Sequence, residues 1–193
     1  MCRVLKIGGS MLLQDNFATA LNRWLDVQPA NPTIVIVGGG NLINAVRELE
    51  RVQPVDQQQV HWTCVDLLTA TARFASQWFD WPLIETQAEW KNGLKEGFCD
   101  DRPVVITPST FYNAKTPLTD ITLPIGWETT SDSIAALLAH QVQAEELVLL
   151  KSCPIPPAQT HQQLAGAGIV DASFPGIANR LATVRIEHLP RES

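Results

Sequence analysis

The chain is short of positive charge. Its 14 lysines and arginines face 20 aspartates and glutamates, for a net charge of −6 over 193 residues. DNA, RNA and other polyanions are therefore not expected partners, and an anionic small ligand would need a local cation. No stretch is long and apolar enough to span a membrane, and no signal-peptide core follows Met1-Cys2-Arg3, so the expected setting is cytoplasmic, away from membranes. The four cysteines, Cys2, Cys64, Cys99 and Cys153, stand apart with no Cys-x-x-Cys pair. That leaves out the common zinc and dithiol motifs and fits reduced thiols. Repeats, low-complexity tracts and linkers are also missing, so a single domain over residues 1–193 is expected. Two nucleotide fingerprints are absent as well: neither Gly-x-x-x-x-Gly-Lys-Ser/Thr nor Gly-x-Gly-x-x-Gly occurs.

What is present is a series of short apolar runs that end in glycine or lysine. Hydrophobic residues make up 45% of the chain and charged residues 18%, enough for a real core. Val4-Leu5-Lys6-Ile7 reads as a strand buried on both faces, and Gly8-Gly9-Ser10 follows it. Thr33-Ile34-Val35-Ile36-Val37 repeats the pattern, followed by Gly38-Gly39-Gly40-Asn41. Each precedes a helical pattern: Phe17, Leu21 and Leu25 in the first, Leu42, Val46 and Leu49 in the second. Two strand–glycine–helix units of this kind indicate βαβ construction, in which ligands bind at the carboxyl ends of the strands. A charge on an otherwise apolar strand costs free energy unless it meets a counter-charge. Lys6 therefore reads either as the point charge of a phosphate cradle formed by Gly8, Gly9 and Ser10, or as a strand-edge lysine before an ordinary turn.

Further along, Asp56 can cap a long helix carrying Val60, Cys64, Leu67, Leu68, Thr71, Phe74 and Trp78. His61-Trp62 lies one turn in; His61 reads as a partly buried structural histidine or as a donor to an anionic substrate group. A short strand is expected at residues 82–84, a helix over 87–95 and a third clear strand over 103–108. Residues 109–127 show little periodicity and read as substrate loop, lid or surface excursion. Thr129-Thr130-Ser131-Asp132 then opens an Ala- and Leu-rich helix. Asp132 there suits the helix dipole, or holds a lysine, or holds magnesium-bound phosphate through water. Glu146-Leu147-Val148-Leu149-Leu150-Lys151 is a fourth buried strand ending in a lysine, and a short helix near 162–165 and a last strand over 183–187 complete the pattern.

Three of these stretches, taken in order, resemble the signatures of the amino acid kinase family: Leu5-Lys6-Ile7-Gly8-Gly9-Ser10, Val35-Ile36-Val37-Gly38-Gly39-Gly40 and Thr130-Ser131-Asp132-Ser133-Ile134-Ala135-Ala136. The resemblance runs from residue 3 to about residue 152. It implies an α/β fold, a three-layer αβα sandwich around a mainly parallel open sheet, and phosphoryl transfer from ATP with Mg2+. It implies catalytic roles for Lys6, Asp132 and Lys151, nucleotide contacts from Gly8, Gly9, Ser10, Lys151 and Ser152, and acceptor contacts from Gly38, Gly39, Gly40, Asn41, His61, Thr130 and Ser131. It also implies a homodimer or higher homo-oligomer, to which the aromatic surface of the 56–78 helix would contribute.

Within the family, the short chain, His61-Trp62, Trp127 before Thr129-Thr130-Ser131-Asp132, and Gly168-Ile169-Val170-Asp171 resemble the aminomethylfuranylmethyl phosphate kinase branch of methanofuran biosynthesis. That branch converts a phosphomonoester to a diphosphate. Where many family members carry Asp-Val-x-Gly-Val, this chain has Ser152-Cys153-Pro154-Ile155-Pro156-Pro157, which leaves its nucleotide-base contacts undefined. Two other readings stay open: a carboxylate kinase, for which Lys115 is a candidate partner in the 109–127 loop, and a non-catalytic nucleotide- or oxyanion-binding protein on the same fold.

Overall fold

The computed structural model describes residues 2–98, 102–114 and 121–190; Cys99 and Lys115 lie outside the described residues. Six strands form one sheet in the order β3-β4-β2-β1-β5-β6: β1 (Arg3–Ile7), β2 (Thr33–Val37), β3 (Leu83–Ile84), β4 (Val104–Ile106), β5 (Glu146–Lys151) and β6 (Val184–His188). Every neighbouring pair is parallel. β1 lies at the centre, with Lys6 opposite Ile36 on one side and Leu149 on the other. Such a strand must be apolar on both faces, and every residue of β1 and β2 is buried.

The two-residue period of a strand sends alternate side chains to opposite layers. Leu5, Ile7, Val35, Val37, Val148 and Leu150 pack on one face with Met11 and with Phe17 and Leu21 of α1 (Phe17–Asp26). Val4, Ile34, Ile36, Leu147 and Leu149 pack on the other with Ile134–Leu138 of α5 (Ser131–Gln141) and with Phe174 and Ile177 of α7 (Phe174–Ala178). Lys6 shares a parity with Val4, so it projects to the α5 face. Lys151 shares one with Leu147 and Leu149 and projects to the same face.

The remaining helices are α2 (Asn41–Val52), α3 (Gln57–Phe79), α4 (Gln87–Glu96) and α6 (His161–Gly166). Asp56 caps α3 as expected, accepting from the Gln58 and Gln59 amides at 3.0 and 3.1 Å. The packing decides two points that the sequence pattern left open. Leu42 and Leu49 of α2 are exposed, and α2 buries no residue, because only its Ile43 and Val46 edge leans on the body. The described part of the 109–127 loop is also no plain surface excursion: Phe111, Tyr112, Ile121 and Leu123 are buried in the core.

Candidate active site

The parity of β1 and β5 brings Lys6 and Lys151 to one carboxylate. Lys6 Nζ lies 2.8 Å from Asp132 Oδ1, and Lys151 Nζ lies 2.6 Å from Asp132 Oδ2. All three side chains are nearly sequestered from solvent, with Asp132 4% exposed and Lys6 5%. Burial pushes the Asp132 carboxyl up, but the two ammonium groups win and hold it below the usual carboxylate range. Lys151 drops to about 8, through burial first and Lys6 second, with Asp132 opposing. Two ammonium groups share one carboxylate in a poorly solvated place, and the buried Asp171 carboxylate also bears on Lys151. Of the trio, Lys6 lines the cavity, where its ammonium can meet a phosphoryl group.

The two glycine turns meet directly above this cluster. A Cβ on Gly9 would lie 2.1 Å from the Gly40 nitrogen and 2.4 Å from the Gly38 oxygen, so backbone packs on backbone with no room for a side chain. Gly40 adopts φ +52°, which glycine takes at little cost. Ser10 and Ser152 join their turns by a 2.8 Å hydroxyl contact. The expectation that Gly8 and Gly38 would offer N–H groups to a ligand is corrected: the Gly8 amide donates to Leu150 O at 3.1 Å and the Gly38 amide to Ile7 O at 2.9 Å. These amides stitch the strand ends together. Gly8 does not line the cavity; Gly9, Ser10, Gly38, Gly39 and Gly40 do.

From the glycine turns a cavity of about 250 Å³ runs between α2 and α3. Lys6 sits in its wall with Thr130 and Ser131. Its sides are mostly apolar, with Ile43, Val60, Val65 and Leu68, and it also reaches Asn44, Arg47, Gln57 and Trp127. The Arg47 guanidinium lies over the Trp127 ring, 4.6 Å from its centroid, and Trp127 Nε1–H donates to Glu50 at 2.7 Å. Asn41 takes no part in the wall; its side chain accepts from Asn44, one turn on, which lines the cavity in its place.

His61 lines the cavity, as expected, but its nitrogens are engaged within the protein. Nδ1 lies 3.1 Å from the Gly126 carbonyl, and Nε2 lies 2.8 Å from the Tyr112 hydroxyl. The Gly126 amide also lies 3.3 Å from Nδ1. A neutral ring serves these contacts either with Nδ1–H donating to the Gly126 carbonyl and Nε2 accepting from Tyr112, or with Nδ1 accepting from the Gly126 amide and Nε2–H donating to Tyr112. Burial lowers the His61 pKa, consistent with the neutral form. The expected donor to a substrate phosphate is thus a buried link between α3 and the loop that precedes α5. Thr130 is redirected too. It stands at the N-cap of α5 without a side-chain cap bond, and its amide and hydroxyl both donate to Asp171, at 3.0 and 2.8 Å.

Asp132 is not placed to ligate a metal, since each of its oxygens faces an ammonium group. Among the described residues no cluster of three or more His, Cys, Asp or Glu side chains could hold a metal ion. Arg47, Tyr112 and Asp171 belong to the site's surroundings and were not singled out as site residues from the sequence. Arg47 had a legible signal, being one helical repeat beyond Gly40 on the face shared by Ile43 and Asn44. Asp171 stood in the Gly168-Ile169-Val170-Asp171 stretch without a role assigned to it, and Tyr112 had no signal, because long-range folding brings both in.

The amino acid kinase family model matches residues 1–154, and the chain belongs to that family. It is thereby a phosphotransferase acting on small molecules. No curated protein matches the chain by sequence. Among solved structures, the chain is similar to the UMP kinase of Ureaplasma parvum, with a TM-score of 0.63 and 12% identity over 97% of this chain and 89% of that one. The uridylate kinase of Archaeoglobus fulgidus gives a TM-score of 0.60 and 19% identity over 98% and 92%. The aspartate kinase of Synechocystis gives 0.65 and 19% over 98% of this chain but 38% of that one. At these identities the likeness concerns the fold, including its parallel sheet and covering helices. Among the described residues no helix is long and apolar enough to cross a membrane.

Proposed function

We propose that the protein transfers the γ-phosphoryl group of ATP to a small phosphomonoester, giving a diphosphate. Aminomethylfuranylmethyl phosphate, of methanofuran-type one-carbon cofactor biosynthesis, is the acceptor named by the sequence resemblance. The observation that carries this reading is the buried Lys6–Asp132–Lys151 cluster, whose Lys6 lines the glycine-turn end of a small, mostly apolar cavity. An acceptor phosphate oxygen attacks the γ-phosphorus in line as the bond to the β,γ-bridging oxygen breaks and ADP leaves. Lys6 and Lys151 offset the charge on the transferring group, and Asp132 holds the two ammonium groups in place. Because the nucleophile is already an anion, no general base is needed. The phosphates of ATP would meet the two lysines, with Ser10 and Ser152 beside them. Mg2+ finds no direct ligand set in the described residues and would arrive with the nucleotide.

Arg47 keeps a second reading open. Its guanidinium, over the Trp127 ring in the cavity wall, pairs with a carboxylate as readily as with a phosphate, which suits an amino-acid or acylamino-acid acceptor too. Assembly belongs to the same proposal. Phe74 and Trp78 of α3 are exposed and lie against each other at 5.8 Å, a surface suited to a homodimer contact.

Turnover of ATP against matched panels of small phosphomonoesters and carboxylates, followed by 31P NMR, tests the assignment. A diphosphate signal distinct from that of ADP, appearing only with a phosphomonoester, supports the first reading and an acyl phosphate the second. Nucleotide binding without transfer to either panel would sink both in favour of a binding protein.

A further inference from the structure

The amino acid kinase match ends at residue 154, yet the catalytic end of the molecule takes one of its closest supports from beyond that point. Asp171 lies in the turn before α7 and receives five hydrogen bonds. Oδ2 accepts from the Thr130 amide at 3.0 Å, the Thr130 hydroxyl at 2.8 Å and the Ser133 amide at 3.0 Å. Oδ1 accepts from the Ser133 hydroxyl and from the Phe174 amide at 3.0 Å. Four of the five donors belong to the residues that open α5, on either side of Asp132.

A helix start ordinarily satisfies its first amides with the side chain of its own N-cap residue. Here Thr130 makes no such bond. The capping carboxylate comes instead from 38 to 41 positions away in sequence. The physical consequence differs. A local cap ties the helix end to itself, whereas Asp171 ties it to the α6–α7 segment and fixes its position and its rotation about the helix axis. Asp132, between the two residues held, inherits that placement. Asp171 also puts a protein carboxylate where a helix N-terminus would otherwise attract a phosphate, leaving the two lysines and the glycine turns as the phosphate's place. Burial and the neighbouring Asp132 push the Asp171 carboxyl above the usual carboxylate range. Two like charges are thus kept close, with hydrogen bonds opposing the cost.

We propose that Asp171 is the positioning residue of the catalytic cluster: it fills the N-terminus of α5 as a built-in anion and thereby sets Asp132 between Lys6 and Lys151. This inference rests on the kinase reading of the site, and two readouts keep the two apart. In the full chain, Asp171→Ala should lower kcat at least about tenfold, with the KM for ATP held within about twofold, since the nucleotide turns are untouched. Formate should restore part of that kcat and raise the Tm of Asp171→Ala, but not of the wild type, by entering the vacated anion position. Asp171→Asn keeps the shape and one acceptor oxygen; it should fold normally and still fall short of wild-type kcat. It carries the kinetic test if the alanine variant does not fold. Wild-type kcat in a folded variant, with only Tm reduced, would reduce Asp171 to a plain helix cap and overturn the proposal. If the wild-type protein phosphorylates nothing, the kinase reading fails on its own. The formate effect on Tm, and the position of Asp132 in a crystal structure of Asp171→Asn, then decide the Asp171 proposal: no formate effect, or Asp132 unmoved between its lysines, would overturn it.

Discussion

The two ends of the cavity are built in opposite ways. At the phosphate end, charge sits on strand ends and backbone touches backbone: Gly9 against Gly38 and Gly40, Lys6 and Lys151 against Asp132. Nothing there can shift without disturbing the centre of the sheet. At the acceptor end the walls are side chains of α2 and α3 and a loop residue, Trp127, and α2 buries none of its residues. The difference teaches where tolerance lies. On the proposed reading, the chemistry is anchored in a constrained part of the molecule and the selectivity in a looser one, so substitutions at the first end should cost stability and rate together. At the second they should change acceptor preference alone.

The sharpest way to break that contrast is Asp132→Ala. It leaves two buried ammonium groups facing each other, which should cost about 3–5 kcal/mol of stability along with activity. Denaturant melts check it; a loss under about 1 kcal/mol would mean that the cluster is more hydrated than its burial indicates. The sign of the pH dependence follows from the lowered Asp132 pKa. Its stabilising contribution is present above the carboxyl's unfolded value and is lost as pH falls through the folded one.

Gly9→Ala comes next. Its Cβ would meet backbone atoms of Gly38 and Gly40, so separating the turns should cost about 1–3 kcal/mol and most of the turnover. A variant of wild-type Tm and kcat would show the turns to be more pliant than their packing.

A third effect is read from pH. With Lys151 near 8, kcat should decline as pH rises through that value and the ammonium is lost. Stability should move the other way. Between about 8 and the unfolded lysine value the unfolded chain binds the extra proton, so raising the pH through this window favours the folded state. A pH–rate profile flat to pH 10 would remove Lys151 from the reacting charge balance.

At the acceptor end, Arg47→Ala should raise the acceptor KM several-fold and leave the ATP KM within about twofold. Equal effects on both substrates would erase the distinction between the ends. The smallest effect on chemistry is expected from Trp78→Glu on the exposed face of α3. It should convert a dimer to monomer in light scattering with kcat nearly unchanged, and a wild-type protein that is already monomeric at micromolar concentration would contradict the proposed contact.

The same contrast explains what could be read from the sequence. The strands, the two glycine turns and the trio Lys6, Asp132 and Lys151 were legible because they depend on local signals: apolar runs, glycine after a strand and a lysine where none belongs. Their convergence follows from strand parity in a parallel sheet. For His61 the sequence left a structural and a substrate role open, because the groups that take its nitrogens, Tyr112 and Gly126, lie 51 and 65 positions away. Thr130 was legible at the start of α5 but its partner was not, since Asp171 accepts from its hydroxyl from 41 positions on. The helical pattern of Leu42, Val46 and Leu49 does not reveal that Leu42 and Leu49 are exposed among the described residues.

On the proposed reading, the Lys6 ammonium at the end of β1 receives a transferring phosphoryl group. Lys6→Met tests it most directly, with folding followed by circular dichroism and phosphoryl transfer followed by single-turnover kinetics on one preparation. The account expects a folded protein whose transfer step is slower by about 10²–10³-fold, the range for losing one preorganised contact to developing charge. A folded Lys6→Met protein that transfers phosphoryl groups at the wild-type rate would contradict it.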